Sequence, residues 1–367
     1  MSIRLVITGG GTGGHLFPGI AVADEALARY PGSEVLFIGT GREIDRRALA
    51  TKPYRQATLT GSGLKGISWR GRLASLARLP VGFGQSVSLL RNFRPDLVLG
   101  VGGYVTGPVL LAARLLGVTA CIHEQNSVPG LANRLLGRFV DRVFLSLPDR
   151  GNFFPAAKTR LVGNPLRREL VAAARQDEVR REVPGLLVLG GSQGAHQVNL
   201  LMQEAAGLLA AEGLEFAIMH QTGERDYAMI SAGYRQAGFK ARSADFIGDM
   251  GAEYRRADLV ISRAGATTMA ELALFGKASL LIPYPYAADD HQRLNAEIML
   301  GQGAARLLPE KELSAGELAG QIKELLRDES AREMMGQKAR SLARPDAAAA
   351  IISESLACRG RKAEEIS

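Results

Sequence analysis

The stretch LVITGGGTGGH at residues 5–15 recurs as LLVLGGSQGAH at 186–196, an offset of 181 residues. A second pair follows: RPDLVLGVGG at 94–103 answers RADLVISRAG at 256–265. A repeat this long means two copies of one α/β unit, not a solenoid of short repeats. Strands alternating with Ala/Leu-rich helical stretches make each copy a mostly parallel, doubly wound sheet. Such sheets bind ligands beyond the carboxyl ends of their strands. Two of them facing each other form a cleft with a glycine loop on each wall. The length of 367 residues agrees, since roughly 100–200 residues make one domain. Asn164-Pro165 in LVGNPLRREL is a turn signal followed by charged, Ala-rich helix, which sets the expected domains at 1–163 and 164–344. From about Pro345 the tail is helical again and can pack back on either domain.

The stretch VITGGGTGGHLFPG at 6–19 joins a buried strand (Ile3, Leu5, Val6, Ile7) to an Ala/Leu-rich helix with Pro18 in its first turns. Backbone N–H groups and the helix dipole converge at such a turn, which suits it to an anion. Gly9, Gly11 and Gly14 satisfy G-x-G-x-x-G. A dinucleotide site also needs an acid closing the second strand, to grip a ribose. Here Glu34–Ile38 runs into Gly39-Thr40-Gly41-Arg42 with no acid at its end. An NAD(P)-dependent oxidoreductase is therefore a runner-up.

Other classes are bounded by composition. Two cysteines, Cys121 and Cys358, form neither a disulfide framework nor a metal-ligand spacing, which points to a reducing cytoplasm. The N-terminus enters a strand directly and shows no signal-peptide pattern. The apolar stretch from Leu97 to Ile122 is broken by glycines, Pro108 and Arg114, so no transmembrane segment is expected. Aromatics are only 6%, which argues against a base-stacking nucleic-acid surface.

Eight further segments occur in order over most of the chain: GGGTGGHLFPG, GVGGYVTGP, HEQNSVPGLANR, GNPLR, GGSQGA, FIGDM, SRAGATTMAELALFG and DDHQRLNA. In these the chain resembles the MurG family of peptidoglycan N-acetylglucosaminyltransferases. The resemblance implies a GT-B fold of two Rossmann-like domains facing a cleft. It implies UDP-N-acetylglucosamine as donor and undecaprenyl-pyrophosphoryl-N-acetylmuramoyl-pentapeptide, lipid I, as acceptor. It also implies inversion at the anomeric carbon by attack of the muramoyl 4-hydroxyl. A UDP-sugar 2-epimerase shares the fold and is the alternative within it.

This chemistry needs a base for the incoming hydroxyl and stabilisation of the departing diphosphate. The chain has no D-x-D, and Asp289-Asp290 is its only adjacent aspartate pair, whereas at least two glycine loops open helices. Protein dipoles are expected to hold the leaving group, so no cofactor and no divalent metal is required. By the resemblance the C-terminal domain takes the donor. Ser192, Gln193 and Gly194 then hold the UDP phosphates, and Arg167 assists from the hinge, its alternative being a solvated helix-start cation beside Arg168. Ile247 meets uracil through its backbone, Ala266, Thr267, Thr268, Met269 and Ala270 line the nucleotide, and Gln292 and Asn295 reach the donor sugar. Glu271 has two competing uses: ribose hydroxyls by the resemblance, or a capping box in Thr268-x-x-Glu271. Thr12, Gly13, Gly14, Gly103 and Tyr104 face the acceptor diphosphate or the transferring sugar, and Asn126 contacts the sugar.

Among five histidines, His15 ends the acceptor-side loop at a helix N-terminus, where the dipole favours the neutral ring that a general base requires. Glu124 and His123 are the second places to look for that base. His196, at the equivalent repeat position, reads as a structural helix-start residue, His220 as a strand-end residue, and His291 has no firm role.

Residues 46–95 carry ten cations and no acid before Asp96. Within them LKGISWRGRLASLARLPVGF at 64–83 sets Trp69, Leu73, Leu76, Leu79 and Phe83 among Arg70, Arg72 and Arg78. An apolar strip beside a basic one suits a monotopic surface contact with anionic lipids, worth about 1 kcal/mol per cation. With a lipid-linked acceptor, this predicts peripheral binding at the cytoplasmic face of the plasma membrane. The alternative is a helix packed on the first sheet with a solvated basic face.

Overall fold

The computed structural model describes residues 1–59, 69–179, 182–190, 194–239 and 241–366, with 69–79 and 361–366 described as backbone alone. The chain divides into two compact units, Met1–Arg168 with Arg344–Ser367, and Glu169–Ala343.

In the first unit the strands β1 (Arg4–Gly9), β2 (Glu34–Gly39), β3 (Arg55–Thr58), β4 (Leu97–Gly102), β5 (Thr119–Glu124), β6 (Arg142–Leu145) and β7 (Thr159–Leu161) make one sheet. Between them run α1 (Gly13–Arg29), α2 (Glu43–Leu49), α3 (Trp69–Phe93), α4 (Thr106–Leu115) and α5 (Leu131–Leu136). The pairing is parallel throughout, in the order β3-β2-β1-β4-β5-β6-β7. The strand order therefore reverses between β1 and β4, whose ends meet where Gly9 pairs with Gly102. That reversal is where doubly wound sheets bind their ligands.

The run of apolar residues in β1 explains its central place. Leu5 and Ile7 join Leu16 and Ile20 of α1 on one face, and Val6 joins Val109 and Leu110 of α4 on the other. Side chains alternate faces along a strand, so a strand covered on both sides needs an unbroken apolar run.

The second unit repeats the scheme with β8 (Gly185–Leu189), β9 (Ala217–Gln221), β10 (Ala241–Ala244), β11 (Leu259–Ser262), β12 (Ala278–Leu281) and β13 (Arg306–Leu307). Its order, β10-β9-β8-β11-β12-β13, places the reversal between β8 and β11. The helix α6 (Arg168–Ala173) leads in, followed by α7 (His196–Ala211), α8 (Tyr227–Gln236), α9 (Met250–Arg256), α10 (Ala266–Phe275) and α11 (His291–Gly301). Two more, α12 (Ala315–Arg327) and α13 (Glu329–Ser341), complete the unit. Val198, Met202 and Ala205 of α7 pack with Leu318, Ile322 and Leu325 of α12 over this sheet.

The last helix, α14 (Ala347–Ile366), packs on α1 and the first sheet. Ala348, Ile351 and Ile352 enter the same core as Ile20 and Ala23, and Arg359 pairs with Asp96 at 2.7 Å. Burying Ile351 and Ile352 is worth roughly 1.5–3 kcal/mol each, enough to fix which sheet the tail covers.

Candidate active site

The end of β1 turns through Gly9, Gly10 and Gly11, all with positive φ, before α1 begins. A Cβ on Gly10 would stand 2.8 Å from Oδ1 of Asp45, so only glycine fits there. Thr12 is the N-cap of α1 by backbone conformation, but its side chain does not cap the helix. Instead Thr12 Oγ1 lies 3.2 Å from His15 Nδ1. The half-buried His15 ring rests on the turn after β4, where a Cβ on Gly102 would come 2.8 Å from its Cδ2. Gly103 sits against the Gly10 carbonyl. The two turns flanking the strand reversal therefore interlock around His15. Tyr104 follows them, half-buried, with its hydroxyl held above the usual phenol range by burial.

At the end of β5 two adjacent residues turn inward. His123 is fully buried, and burial pushes its ring down to about 4. Its Nδ1 accepts from Gln125 Nε2 at 3.1 Å, which leaves Nε2–H to face the Gly163 carbonyl at 3.1 Å. His123 is thus a packed, neutral histidine. The Glu124 carboxyl is also buried, and burial raises it above the usual carboxylate range. It accepts from the N–H groups of Asn126 (3.0 Å) and Gly130 (3.3 Å) and from Asn133 Nδ2 (2.8 Å). Those bonds commit Glu124 to shaping the loop that presents the half-buried Asn126. Arg167 stacks over the ring of Phe17, 5.4 Å from its centroid, two residues along α1 from His15.

In the second unit β8 is followed by Gly190–Ala195, of which Gly191, Ser192 and Gln193 lie outside the described residues. Gly190 N–H donates to the Gln221 carbonyl at 3.2 Å, and Gly194 takes a positive φ over Thr222. His196 begins α7 with Nδ1 at 3.0 Å from both carboxylate oxygens of Asp226. Asn199 donates to Asp226 Oδ2 at 2.8 Å, and His220 lies 3.0 Å from Asn199 Oδ1. Gln221 Oε1 takes the N–H of Ile247 at 3.0 Å, tying FIGDM to the glycine turn.

After β11 the chain enters α10 through Gly265, which is the N-cap and makes no side-chain cap. Thr268 is therefore inside the helix, and the capping-box reading of Thr268 with Glu271 is corrected. Glu271 Oε2 accepts from the hydroxyl of Tyr254 at 2.9 Å, and Tyr254 stacks on Phe275 with centroids 4.9 Å apart. Thr267, Thr268, Ala270 and Glu271 form the half-buried side of α10, while Ala266 and Met269 turn into the core and offer a ligand backbone alone. Asn295 is fully buried, with Nδ2 facing the Ala264 carbonyl at 3.3 Å, next to the end of β11. Gln292 Oε1 accepts from Tyr284 N–H at 3.0 Å, and His291 Nδ1 faces the Ala288 carbonyl at 2.8 Å.

With this geometry in place, the comparisons are specific. Residues 5–145 match the glycosyltransferase family 28 N-terminal domain and residues 185–351 its C-terminal domain. The UDP-N-acetylglucosamine–N-acetylmuramyl-(pentapeptide) pyrophosphoryl-undecaprenol N-acetylglucosamine transferase of Geotalea uraniireducens is 50% identical over 355 residues, covering 96% of this chain and 97% of its own. A protein of the same name from Syntrophus aciditrophicus is 46% identical, over 97% of this chain and 99% of its own. The crystal structure of Acinetobacter baumannii MurG matches with a TM-score of 0.79 and 30% identity, over 96% of this chain and 99% of that one. The chain belongs to the MurG family. A putative UDP-N-acetylglucosamine 2-epimerase from Listeria monocytogenes, at a TM-score of 0.66 and 15% identity, shares the fold alone.

The two doubly wound sheets are those of the GT-B fold that this family carries. Within each unit the residues expected from the MurG resemblance cluster at the strand reversal: Thr12, Gly13, Gly14, His15, Gly103 and Tyr104 in the first, Gly194 and Thr267–Glu271 in the second. Three residues went unnoticed in the sequence. Asp45 enters the first glycine turn from α2, Tyr254 holds Glu271 from α9, and Arg263 pairs with Glu310 at 2.5 Å just past β11. Of these, Arg263 had a readable signal: a charge directly after the buried strand LVIS.

Proposed function

We propose that the chain transfers N-acetylglucosamine from UDP-N-acetylglucosamine to the 4-hydroxyl of the muramoyl sugar of lipid I, with inversion, giving lipid II. The full-length relatives bear the name of that activity. The observation that carries the mechanism is His15, set between Thr12 and the Gly102–Gly103 turn at the strand reversal. With Nδ1–H donating to Thr12 Oγ1, Nε2 keeps its lone pair and accepts the hydroxyl proton as that oxygen attacks C1. The bond from C1 to the diphosphate oxygen breaks, and UDP leaves with the electron pair. Glu271 takes the ribose hydroxyls of the donor, with Thr267, Thr268 and Ala270 beside it. The Ile247 N–H is spent on Gln221, so backbone recognition of the base falls to its carbonyl. By the family resemblance, Ser192, Gln193 and Gly194 stabilise the departing diphosphate with help from Arg167, without need of a divalent metal. Product analysis tests this: free UDP should appear only when a lipid acceptor is present. Epimerised donor without acceptor would support the epimerase instead, and a nicotinamide absorbance change the oxidoreductase.

We also propose that the enzyme works as a peripheral protein on anionic lipid of the cytoplasmic leaflet. No helix among the described residues is long and apolar enough to cross a membrane. The side chains of Trp69, Arg70, Arg72, Leu73, Leu76, Arg78 and Leu79 lie outside the described ones, but the neighbouring helices add support. Leu115 on α4, with Leu131, Leu135 and Phe139 on and after α5, are 67%, 72%, 59% and 58% exposed, beside exposed Arg138. Leu131 and Leu135 stand one turn apart on α5 and share a face, and adjoining exposed apolar groups mark a contact. Replacing Leu131, Leu135 and Phe139 together with serine should weaken binding to anionic vesicles roughly tenfold or more. Activity on a short-chain soluble acceptor should persist, and equal loss on both acceptors would sink the membrane reading.

A further inference from the structure

Asp45 lies six residues beyond β2, too late to close that strand, and its carboxylate is buried against the first glycine turn. Oδ1 accepts from the N–H of Gly11 at 2.8 Å. Oδ2 accepts from the N–H of Thr40 at 3.1 Å and from the Thr40 hydroxyl. On the other side of the same glycine, Arg42 Nη1 donates to the Gly11 carbonyl at 3.3 Å. Both polar groups of Gly11 are thus held from the β2–α2 segment, and the carboxylate fills the space that a side chain on Gly10 would need.

The held turn leads straight to the reacting group. Gly10 packs its carbonyl on Gly103, Thr12 follows Gly11, and Thr12 touches His15, whose ring rests on Gly102. A tilt of the Gly11 peptide moves Thr12 and His15 together. Placement errors of about 1 Å in such a group can cost on the order of a hundredfold in rate.

We propose that Asp45 is a positioning residue for the transfer reaction: it fixes the Gly10–Gly11 turn and through it sets Thr12 and His15. This rests on the reading of His15 as the base. It also explains why an acid near the first glycine loop does not make a dinucleotide site, since the carboxylate is bonded into the turn and is not presented to a ribose.

The test is a double-mutant cycle on kcat with UDP-N-acetylglucosamine and a lipid acceptor. In Asp45→Asn one carboxylate oxygen becomes an NH₂ facing donors, so kcat should fall about tenfold to a hundredfold with the donor KM within about twofold. Asp45→Asn combined with His15→Ala should be no slower than His15→Ala alone, because one placement cannot be lost twice. Losses that multiply, or a folded Asp45→Asn enzyme with kcat within about twofold of the parent, would overturn the proposal. Should Asp45→Asn not fold, Thr40→Val removes one donor while keeping shape, and the same smaller, non-multiplying loss is required of it. An active His15→Ala beside an impaired Asp45→Asn would sink the base reading and leave Asp45 bracing the loop. A slow His15→Ala beside an unimpaired Asp45→Asn would sink the bracing alone.

Discussion

His15 and His196 stand 181 residues apart at matching positions of the repeat, each on the first turn of the helix that follows a glycine turn. Their partners differ. His15 meets the hydroxyl of Thr12 and the bare backbone of Gly102. His196 meets both oxygens of Asp226, one of which also accepts from Asn199, itself bonded to the Thr222 carbonyl. The His15 ring is thereby turned toward β4, the side on which the strand order reverses, whereas Asp226 draws the His196 ring toward the segment between β9 and α8, on the other side of β8. Duplication kept the turn in both units, and the neighbouring strand and helix decided what its histidine does.

The largest effect should separate these two histidines. His15→Ala is expected to lower kcat by on the order of 10² to 10⁴ while UDP binding stays nearly unchanged. His196→Ala should leave kcat within about threefold and lower the melting temperature instead. If both variants lose activity alike, the division of labour between the turns is wrong.

The next effect concerns the donor. Glu271→Ala removes charge-assisted bonds to the ribose and should raise the donor KM about tenfold to a hundredfold with the protein folded. A fall in melting temperature with KM intact would return Glu271 to a purely local role.

A third measurement sharpens the comparison through pH. Burial holds His123 down at about 4 and His220 at about 3, from an ordinary 6.5. Each ring is neutral in the folded chain, so as pH falls below 6.5 the unfolded chain takes up its proton first. The stability these rings confer is complete above 6.5 and is lost on the way down to those values, at about 1.4 kcal/mol per pH unit for each ring. Glu124, next to His123, runs the other way. Its carboxyl is raised by burial, so the folded chain takes up that proton first and gains stability as pH falls toward 4.5. The first unit should therefore lose protection less steeply than the second. Hydrogen-exchange free energies of β5 and β9 peptides between pH 6.5 and 4.5 check this, and Glu124→Gln should remove the difference.

Legibility followed sequence distance. The glycine turns, their helices and the repeat were readable because strand, turn and helix are contiguous in the chain. Asp45 was not, because its bond to Gly11 spans 34 residues and depends on β2 lying beside β1. Two segments with the same local pattern show the limit. Ser314-x-x-Glu317 forms a true capping box at the start of α12, with reciprocal bonds of 3.2 and 2.8 Å. Thr268-x-x-Glu271 does not, because α10 has already begun at Ala266 and tertiary packing gives the carboxylate Tyr254 as partner. A cap pattern identifies a helix start only where the backbone is still extended at its first residue.

The smallest expected effect tests how each unit braces its site. The first turn is held through its backbone by Asp45, and Glu271 in the second is held through its side chain by Tyr254. The Tyr254 ring is fully buried and stacked on Phe275, so Tyr254→Phe keeps the packing and deletes only the hydroxyl that donates to Glu271 Oε2. Without it the carboxylate gains rotamers that do not meet a ribose, and part of the donor's binding energy is spent on restoring the productive one. The donor KM should rise about threefold to tenfold, with kcat and melting temperature close to the parent. In the Glu271→Ala background the same change should do nothing further, since the group it orients is gone. A rise in KM that persists there would mean that Tyr254 acts on the donor by some route other than Glu271. A collapse in stability would make the hydroxyl a strut of the fold.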